Sequence, residues 1–382
     1  MENLERIVRL VSDSGFAALS AGNAIMIGVG LLLLYLAIGR DYEPLLLIPI
    51  AFGAILVNLP LSGIFDPAGT GSEHGGILRM VYEVGTATEI LPVFMFLALG
   101  ALTDFGPALA NPVTFFLGGA AQLGVFVAML LAVVLGFRIE AAAAIGIIGG
   151  ADGPTSIYIA SKMAPENLGA IAVASYTYMS LVPLIQPPVI RLLTTQKERS
   201  VEMPQLRTVT RLERILFPIV VALVVGLLLP AAVPLIGMMM FGNLLRECGV
   251  VERLSKTAQN ELCNIITILL GISVGATMGA DRFLRPETLK VIGLGLIAFI
   301  FSTAGGVLLG KLLYLVTGGK VNPVIGAAGV SAVPMSARTA HLEGLKANPR
   351  NFLLMHAMGP NVAGVIGTVV AAAVMISVLQ GR

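Results

Sequence analysis

The chain has 382 residues, of which 56% are hydrophobic and only 12% are charged, and its mean hydropathy is +0.91. This composition excludes a soluble globular domain and indicates a polytopic membrane protein embedded in a lipid bilayer. The formal net charge of +2 gives no indication of a nucleic-acid partner, because the basic residues lie in loops. The two cysteines form no metal-binding motif.

The first predicted element is a membrane span over roughly residues 21–39, preceded by a charged segment that contains Arg6 and Arg9. The apolar stretch is too long for the hydrophobic part of a signal peptide, so residues 1–43 are expected to form a retained N-terminal segment and first transmembrane helix. Basic residues accumulate on the cytoplasmic side of spans, which predicts a cytoplasmic N-terminus.

A polar stretch over residues 193–211 separates two halves that resemble each other, 44–192 and 212–382. Its many arginines predict a cytoplasmic linker. Four residues of the first half recur in the second at a constant offset, each set within an apolar span. The pairs are Gly146 and Gly326, Gly149 and Gly329, Pro154 and Pro334, and Ser156 and Ser336. Together with weaker upstream matches, among them Gly100-Ala101 with Gly275-Ala276, they predict an internal repeat.

Each half is expected to contain five spans, one of them broken by glycine and proline. An odd number of crossings inverts the second copy, so we predict an all-α membrane protein of about eleven transmembrane helices: two inverted five-span repeats with broken helices at the midplane, plus one N-terminal span. The C-terminus then lies outside the cell. The loop charges agree only in part. Arg138, Arg282, Arg285, Arg338, Lys346 and Arg350 are expected inside, but Arg246, Arg253 and Lys256 are expected outside.

Asp152 is the most informative residue, because it lies at the depth of a membrane span among helix-breaking glycines and Pro154. An ionised carboxylate in hydrocarbon is costly and is retained mainly where it pairs, titrates or binds a cation. Unwound backbone around it frees carbonyl groups for a small cation. A helix cap at the start of the following helix is the alternative role for this aspartate.

The second broken span carries neutral oxygens in place of a carboxylate. Asn322 and Ser331 offer the hard oxygen ligands that suit Na⁺, with helix capping and small-residue packing as the alternatives. Arg338 follows at the cytoplasmic end, where its guanidinium could receive an anionic substrate or simply anchor the helix at the interface.

Two more spans are interrupted at a comparable depth. Tyr178 in the first half could relay a proton or assist a cation site, although tyrosines are also common in ordinary membrane cores. Asn361, which follows Gly359-Pro360, could complete a coordination shell or cap a helix. Asp104 is expected to be a turn or cap residue.

Several long motifs closely resemble the β-subunits of biotin-dependent, sodium-translocating decarboxylases. They are residues 149–155 (GGADGPT), 178–188 (YMSLVPLIQPP), 103–107 (TDFGP), 322–338 and 358–361 (MGPN), in one order over nearly the whole chain. This resemblance implies that Asp152 binds Na⁺ and a proton alternately, with Tyr178 and Ser331 on a second ion or proton route. It also implies that Asn322, Gly326 and Asn361 line the ion site, and that Arg338 is needed near carboxybiotin.

The resemblance further implies a multi-pass subunit of the cell (inner) membrane, in a complex with a carboxyltransferase α-subunit, a biotin carrier protein and small γ and δ membrane subunits. Several β-subunits are expected around one axis, and the resemblance suggests a trimer. Decarboxylation of carboxybiotin would consume a proton and drive Na⁺ export. No Met-Lys-Met biotinylation motif surrounds Lys162, so the biotin is expected on another protein. The alternatives are a secondary Na⁺-coupled transporter or Na⁺/H⁺ exchanger, and a purely structural anchor that leaves Asp152 unexplained. Arg338 favours the pump, because a cation exchanger needs no anion receptor.

Overall fold

The computed structural model describes residues 14–69 and 75–380, and within these ranges the regular secondary structure is entirely helical, as predicted. The charged segment with Arg6 and Arg9 lies outside the described residues. The α-helices, numbered in chain order, are α1 (Ala21–Arg40), α2 (Pro44–Val57), α3 (Ile77–Val81), α4 (Ile90–Leu102), α5 (Gly106–Ala110), α6 (Thr114–Ala120), α7 (Leu123–Val134), α8 (Ile139–Gly146), α9 (Gly153–Met163), α10 (Leu168–Ser180), α11 (Val182–Leu193), α12 (Gln196–Arg199), α13 (Arg211–Leu228), α14 (Met238–Glu247), α15 (Glu252–Thr257), α16 (Cys263–Gly275), α17 (Ala280–Phe283), α18 (Pro286–Val316), α19 (Met335–Ala347) and α20 (Leu354–Gln380). Short 3₁₀ or π-helical turns extend several of them, including Ile147–Gly150 after α8 and Pro323–Gly329 before α19.

Among the described residues, five helical segments are long and apolar enough to cross a membrane: Ala21–Arg40, Thr114–Val134, Glu252–Gly275, Pro286–Val316 and Leu354–Leu379. Two bent pairs raise the number to seven if each pair is one span. They are Ile77–Thr86 with Ile90–Leu102, bent by 61°, and Pro165–Ser180 with Val182–Leu193, bent by 67°. The protein is therefore a multi-pass membrane protein, but the predicted total of about eleven spans is not confirmed.

The broken segment around Asp152 is a helical hairpin, which we call hairpin 1 (residues 139–163). Arg138 precedes its first helix and Glu166 follows its second, yet Arg138 Nη2 lies 2.9 Å from Glu166 Oε1. A straight helical element of this length would hold its two ends roughly 35 Å apart. Both limbs of hairpin 1 therefore open at the same end of the molecule.

The second broken segment is also a hairpin, hairpin 2 (residues 322–347), and both of its feet rest on the linker. Asn322 Nδ2 donates to the backbone carbonyl of Arg199 at 2.9 Å, and Asn348 Nδ2 donates to that of Ser200 at 3.3 Å. The sequence predicts a crossing at each broken segment, and this prediction is wrong. Glycine and proline indicate that a helix is interrupted, but the same residues occur where a helix only kinks and where the chain reverses direction.

The two hairpins open at opposite ends of the molecule, and α18 shows this most directly. It is one unbroken helix of 31 residues, about 46 Å long. Glu287 in its first turn lines a cavity together with Arg138 at the foot of hairpin 1. Near its other end, Lys311 Nζ donates to the carbonyl of Leu193, where the linker begins, at 3.1 Å. We call these two ends the far end and the linker end.

The tips of the two hairpins meet inside the protein. The backbone N–H of Ser331 in hairpin 2 donates to the carbonyl of Gly150 in hairpin 1 at 2.9 Å. Both residues are buried. Backbone groups that leave a helix inside a membrane need a partner, because hydrocarbon offers none. Each hairpin tip therefore provides a hydrogen-bond partner for a backbone group of the other tip.

Local sequence explains where hairpin 1 turns. Ala151 has a left-handed backbone with φ of 50°, and Asp152 is extended. Pro154 then lies in the first turn of α9, where its missing N–H costs nothing. Hairpin 2 turns in the stretch between its 3₁₀ helix (Pro323–Gly329) and α19. Within this 3₁₀ helix, packing requires glycine at position 326, because a Cβ on Gly326 would collide with the backbone of Gly306.

Outside the hairpins, α2 packs on α16, and α4 packs on α14. A Cβ on Gly275 of α16 would collide with the backbone of Ile50, and a Cβ on Gly100 of α4 would collide with that of Met239. Small residues allow such close approach between membrane helices. Gly100 and Gly275 are also partners in the predicted repeat, so equivalent positions make equivalent contacts.

Candidate functional site

Asp152 lies at the tip of hairpin 1, and its side chain is 5% exposed. The hydroxyl of Thr155 donates to its Oδ2 at 2.5 Å. Its backbone carbonyl accepts from the N–H and the hydroxyl of Ser156, both at 2.9 Å. The residue occupies the N-cap position of α9, as the capping alternative requires, but the bond to its carboxylate comes from a side chain. Among the described residues the carboxylate is therefore oriented by a hydroxyl and has no basic partner.

A cavity of about 430 Å³ connects Asp152 to the linker end. Ser331 at the tip of hairpin 2 lines it beside Asp152, and Asp104 and Arg246 line its outer part. Its remaining walls are mostly apolar and come from α4, α10, α20 and the two tips: Leu99, Leu102, Met179, Val333, Pro334, Met358, Val362 and Val365 belong to them. The site thus combines a carboxylate, a hydroxyl and an apolar chamber, within the size range of pockets for small molecules.

Ser331 also begins a chain of buried polar groups behind the cavity. Its hydroxyl lies 3.0 Å from that of Thr368 in α20, and Thr368 is 3.3 Å from Oε1 of Gln122. Thr368 and Gln122 lie in apolar spans and were not singled out by the sequence. These neutral oxygens are of the kind that coordinates Na⁺, and they adjoin the single carboxylate at the tips.

Asn361 in α20 carries an acceptor that no described residue satisfies. Its Nδ2 donates to the carbonyls of Ala328 at 3.0 Å and Val330 at 2.8 Å, both in hairpin 2. Its Oδ1 is buried and has no hydrogen-bond partner among the described residues. An unpaired buried acceptor costs about 1–3 kcal/mol, and a bound cation removes this cost. This observation fits the predicted role of Asn361 as an ion ligand.

The structure does not bring Asn322 and Gly326 to the cavity. Asn322 Oδ1 accepts from the N–H of Val324 at 3.0 Å, while its Nδ2 donates to the carbonyls of Arg199 and Val201. This asparagine caps the 3₁₀ turn and joins hairpin 2 to the linker, which was the alternative role considered for it. Gly326 lies against Gly306 of α18.

The two tyrosines of α10 differ in their partners. Tyr178, which the sequence singles out, donates its hydroxyl to the carbonyl of Ile292 in α18 at 2.5 Å. Tyr176 was not singled out by the sequence, and its buried hydroxyl has no hydrogen-bond partner among the described residues. A Cβ on Gly153 would collide with the ring and the hydroxyl of Tyr176. The unpaired phenol therefore lies directly beside the tip that carries Asp152.

Arg338 is exposed and lies in the first turn of α19. Its backbone N–H donates to the carbonyl of Pro334 at 3.0 Å, and Pro334 lines the cavity. Residues four apart on a helix share one face, so Arg338 projects one turn beyond the cavity rim. A guanidinium in this place can meet an anion that approaches from the linker end.

Arg246 is the most consequential residue that sequence reasoning missed. The predicted order of spans placed it on the side opposite to the linker, but its Nη1 donates to the carbonyl of Leu102 at 2.8 Å, at the linker end. Arg211 and Arg214 of the linker region contact the same helix end through Cys248 and Glu247. The predicted order of spans has no return to this end between α13 and Arg246, whereas α14 brings the chain back, and this difference reversed the side assigned to Arg246.

Within the described ranges no group of three or more His, Cys, Asp or Glu side chains could hold a metal ion, and both Cys248 and Cys263 are free thiols. The oxygen groups that lie around the hairpin tips are one carboxylate and several neutral side-chain oxygens, which are hard ligands.

Comparison with known proteins agrees with this chemistry. Residues 22–379 match the family described as Na⁺-transporting oxaloacetate decarboxylase beta subunit. The methylmalonyl-CoA decarboxylase subunit beta of Veillonella parvula is 60% identical over 376 residues, covering 98% of each chain. The glutaconyl-CoA decarboxylase subunit beta of Acidaminococcus fermentans is 57% identical over 377 residues, again covering 98% of each chain. The probable oxaloacetate decarboxylase beta chain of Vibrio cholerae is 50% identical over 433 aligned residues, covering 99% of this chain and 100% of the other.

Proposed function

The chain belongs to the family of Na⁺-transporting decarboxylase β-subunits, and from this premise we propose a mechanism in which Asp152 exchanges Na⁺ for the proton that decarboxylation consumes. The protein is the membrane subunit of a sodium-pumping, biotin-dependent decarboxylase. The observation that carries the proposal is the position of Asp152. It lies at the inner end of a cavity that reaches the linker end, and no basic side chain pairs with it among the described residues.

The chemistry at this site follows from the proton balance. Decarboxylation of carboxybiotin breaks the bond between a ureido nitrogen and the carboxylate carbon, releases CO₂, and requires one proton for the nitrogen. Asp152 cannot hold this proton and offer its full negative charge to Na⁺ at the same time. Na⁺ therefore leaves as the proton arrives, and the proton then passes through the cavity to the substrate. The apolar walls exclude water that would otherwise support an uncoupled leak.

Two neighbours are suited to complete the Na⁺ site. Ser331 lines the same cavity, and the unpaired Oδ1 of Asn361 lies behind it in α20. We propose Tyr178 as a positioning residue, since its hydroxyl joins α10 to α18 beside the site. Asn322 and Gly326 are proposed to support the ion site through the placement of hairpin 2, because their contacts lie at its foot and along α18.

We propose Arg338 as the receptor for the carboxylate of carboxybiotin. Its exposed guanidinium, one turn from the rim, can form the paired hydrogen bonds that a planar carboxylate accepts. β-Subunits of these decarboxylases work in complexes with biotin-carrier and carboxyltransferase subunits, so the carboxylated biotin reaches the rim on another protein. Small γ and δ membrane subunits and a trimer of β-subunits complete the proposed assembly.

The membrane topology proposed here has ten crossings and two hairpins. The first repeat starts with α1 and runs through α2, α3 with α4, α6 with α7, hairpin 1, and α10 with α11. The second repeat follows the same order from α13 to α20. The equivalent contacts of Gly100 and Gly275 support this assignment. Each repeat thus keeps five crossings, and the predicted extra N-terminal span becomes the first element of the first repeat.

The orientation follows from the distribution of basic residues. The linker end carries the linker arginines together with Arg246 and Arg350, so we propose that it faces the cytoplasm of a cell-membrane protein. Arg138, Arg282 and Arg285, which were expected inside, then lie at the extracytoplasmic end. Ser20, which precedes α1, lines a far-end cavity with Arg282. Both termini are then extracytoplasmic, which differs from the predicted cytoplasmic N-terminus and agrees with the predicted C-terminus.

The decisive experiment reconstitutes the complete complex in liposomes and adds the carboxylated biotin carrier. We expect the uptake of radioactive Na⁺ to accompany the release of CO₂ in a fixed ratio. If Na⁺ instead follows an imposed proton gradient while the carboxylated carrier is never consumed, the protein is a secondary Na⁺/H⁺ exchanger and the proposed mechanism is wrong.

A further inference from the structure

Arg246 lines the cavity that contains Asp152, although the two residues are far apart in sequence and belong to different repeats. The packing of α14 on α4 brings it there. Asn243, one turn earlier in α14, donates its Nδ2 to the carbonyls of Gly100 at 3.3 Å and Thr103 at 2.9 Å. These bonds fix the rotation of α14, so the cavity position of Arg246 is built into the helix pair.

The guanidinium of Arg246 is only partly used by the protein. Nη1 donates to the carbonyl of Leu102 at 2.8 Å, and Nε is 3.5 Å from Oε1 of Glu247. Glu247 is shared with Arg214, whose Nη1 lies 3.7 Å from it. A guanidinium has five N–H donors. Among the described residues, therefore, most of the donors of Arg246 have no protein acceptor.

The acidic neighbour in the cavity does not neutralise this arginine. Asp104 accepts the N–H of Gly106 at 2.8 Å, and its ion pair, at 3.8 Å, is with Arg214. Arg214 thus contacts Asp104 and shares Glu247 with Arg246, which leaves the remaining N–H donors of Arg246 as the cationic group in the cavity lining.

The cavity places this cation opposite the exchange site. Its inner end is the pair of hairpin tips with Asp152 and Ser331, its walls are mostly apolar, and Arg338 projects beyond its rim. An anionic ring compound bound in this cavity can therefore contact Arg246 and Asp152 together. Arginine, rather than lysine, suits this place, because its planar fork binds a carboxylate through two parallel hydrogen bonds.

We propose that Arg246 binds the carboxylate of the N-carboxylated ureido ring inside the cavity, as a second arginine after Arg338, and so positions the ring above Asp152. The proposal rests on the proposed function. It assigns Arg246 to substrate binding, whereas Arg338 receives the substrate at the rim. Binding within apolar walls strengthens the ion pair relative to one in water.

A charge-rescue experiment in the intact complex tests this assignment. Cys248 and Cys263 are first replaced by alanine, and Arg246→Cys is introduced into that background. We expect the KM for the carboxylated biotin carrier to rise at least tenfold, with a smaller change in kcat. Methanethiosulfonate ethylammonium, which attaches a positive charge to the new thiol, should restore at least a third of kcat/KM. The neutral methyl reagent should restore none of it.

The matched control is Arg253→Cys in the same background. Arg253 is exposed on α15 and does not line the cavity, so its loss should change KM by less than twofold. Arg246→Lys provides a variant that keeps the charge if the cysteine variant does not assemble. It should raise KM less than Arg246→Gln does.

Three outcomes overturn the proposal: an unchanged KM in Arg246→Cys, equal recovery with the neutral and the cationic reagent, or equal KM values for Arg246→Lys and Arg246→Gln. Any of these results would assign Arg246 to the structural bond with Leu102. The cysteine-free background separates this failure from failure of the proposed function, because that background must itself couple CO₂ release to Na⁺ uptake.

Discussion

Hairpin 1 and hairpin 2 share one construction, a short helical limb that stops in the membrane and a second limb that returns, but they carry opposite chemistry. The tip of hairpin 1 contributes a carboxylate, and both limbs around it are almost fully buried. The tip of hairpin 2 contributes a hydroxyl, and Arg338 one turn away is exposed. The two tips therefore meet with different side chains, a carboxylate from hairpin 1 and a hydroxyl from hairpin 2.

The feet of the hairpins differ as well. Hairpin 1 is closed at the far end by the exposed ion pair of Arg138 and Glu166, a type of contact that contributes at most about 1 kcal/mol. Hairpin 2 is held to the linker through buried or half-buried asparagines, and Arg191 pairs with the buried Glu343 in α19 at 2.7 Å. Hairpin 2, which carries the proposed substrate receptor Arg338, thus has the stronger contacts at its foot.

The largest effect is expected at the acid of hairpin 1. Asp152→Asn keeps the size of the side chain but can neither donate a proton nor balance the charge of Na⁺. We expect coupled CO₂ release and Na⁺ uptake to fall at least a hundredfold while the complex still assembles. Asp281→Asn, which changes an exposed carboxylate at the far end, is the control and should keep wild-type rates. Full Na⁺-stimulated activity in Asp152→Asn would remove this residue from the mechanism.

A smaller effect of a different kind is expected from the arginine of hairpin 2. Arg338→Gln should lower kcat/KM for the carboxylated carrier by roughly 10- to 150-fold, because a charged hydrogen bond contributes about 1.5–3 kcal/mol. It should leave the Na⁺-dependent increase in the melting temperature intact, whereas Asp152→Asn should lose that increase. Arg350→Gln, exposed near the same foot, is the control. Loss of the Na⁺ effect in Arg338→Gln would show that the two hairpins do not divide ion and substrate binding.

Ser331 at the tip of hairpin 2 should contribute less to Na⁺ binding than Asp152 does. Ser331→Ala removes the hydroxyl that lies between the cavity and Thr368, so we expect the KM for Na⁺ to rise about tenfold with little change in the KM for the carrier. Thr368→Val removes the next hydroxyl in this row of hydrogen-bonded side chains, one step further from Asp152, and should raise the KM for Na⁺ by a smaller factor. An equal effect on both substrates in Ser331→Ala would indicate a general disturbance of the hairpin contact.

The sequence predicts the chemical groups at the two hairpin tips better than it predicts the path of the chain through the hairpins. Asp152 is recognisable because a carboxylate at membrane depth is rare, and the family resemblance identifies the motifs around it. The reversal of each hairpin was missed, since a broken helix pattern does not encode the direction of the second limb. The misplacement of Arg246 is a separate error, because the predicted order of spans lacks the return of α14 to the linker end. Tyr176 was missed because one aromatic hydroxyl among apolar residues carries no signal until its lack of a partner is visible.

The finest test of the carboxylate tip compares two adjacent hydroxyls in α9. Thr155 donates to the carboxylate of Asp152, whereas Ser156 donates to its backbone carbonyl. Removing one hydrogen bond costs about 0.5–1.5 kcal/mol, so Thr155→Val should raise the KM for Na⁺ by roughly two- to tenfold through loss of carboxylate orientation. Thr155→Ser, which keeps the hydroxyl, should recover most of the affinity. Ser156→Ala should change the KM for Na⁺ less than Thr155→Val does, and the reverse order would place the ion on the backbone of hairpin 1 instead of on its acid.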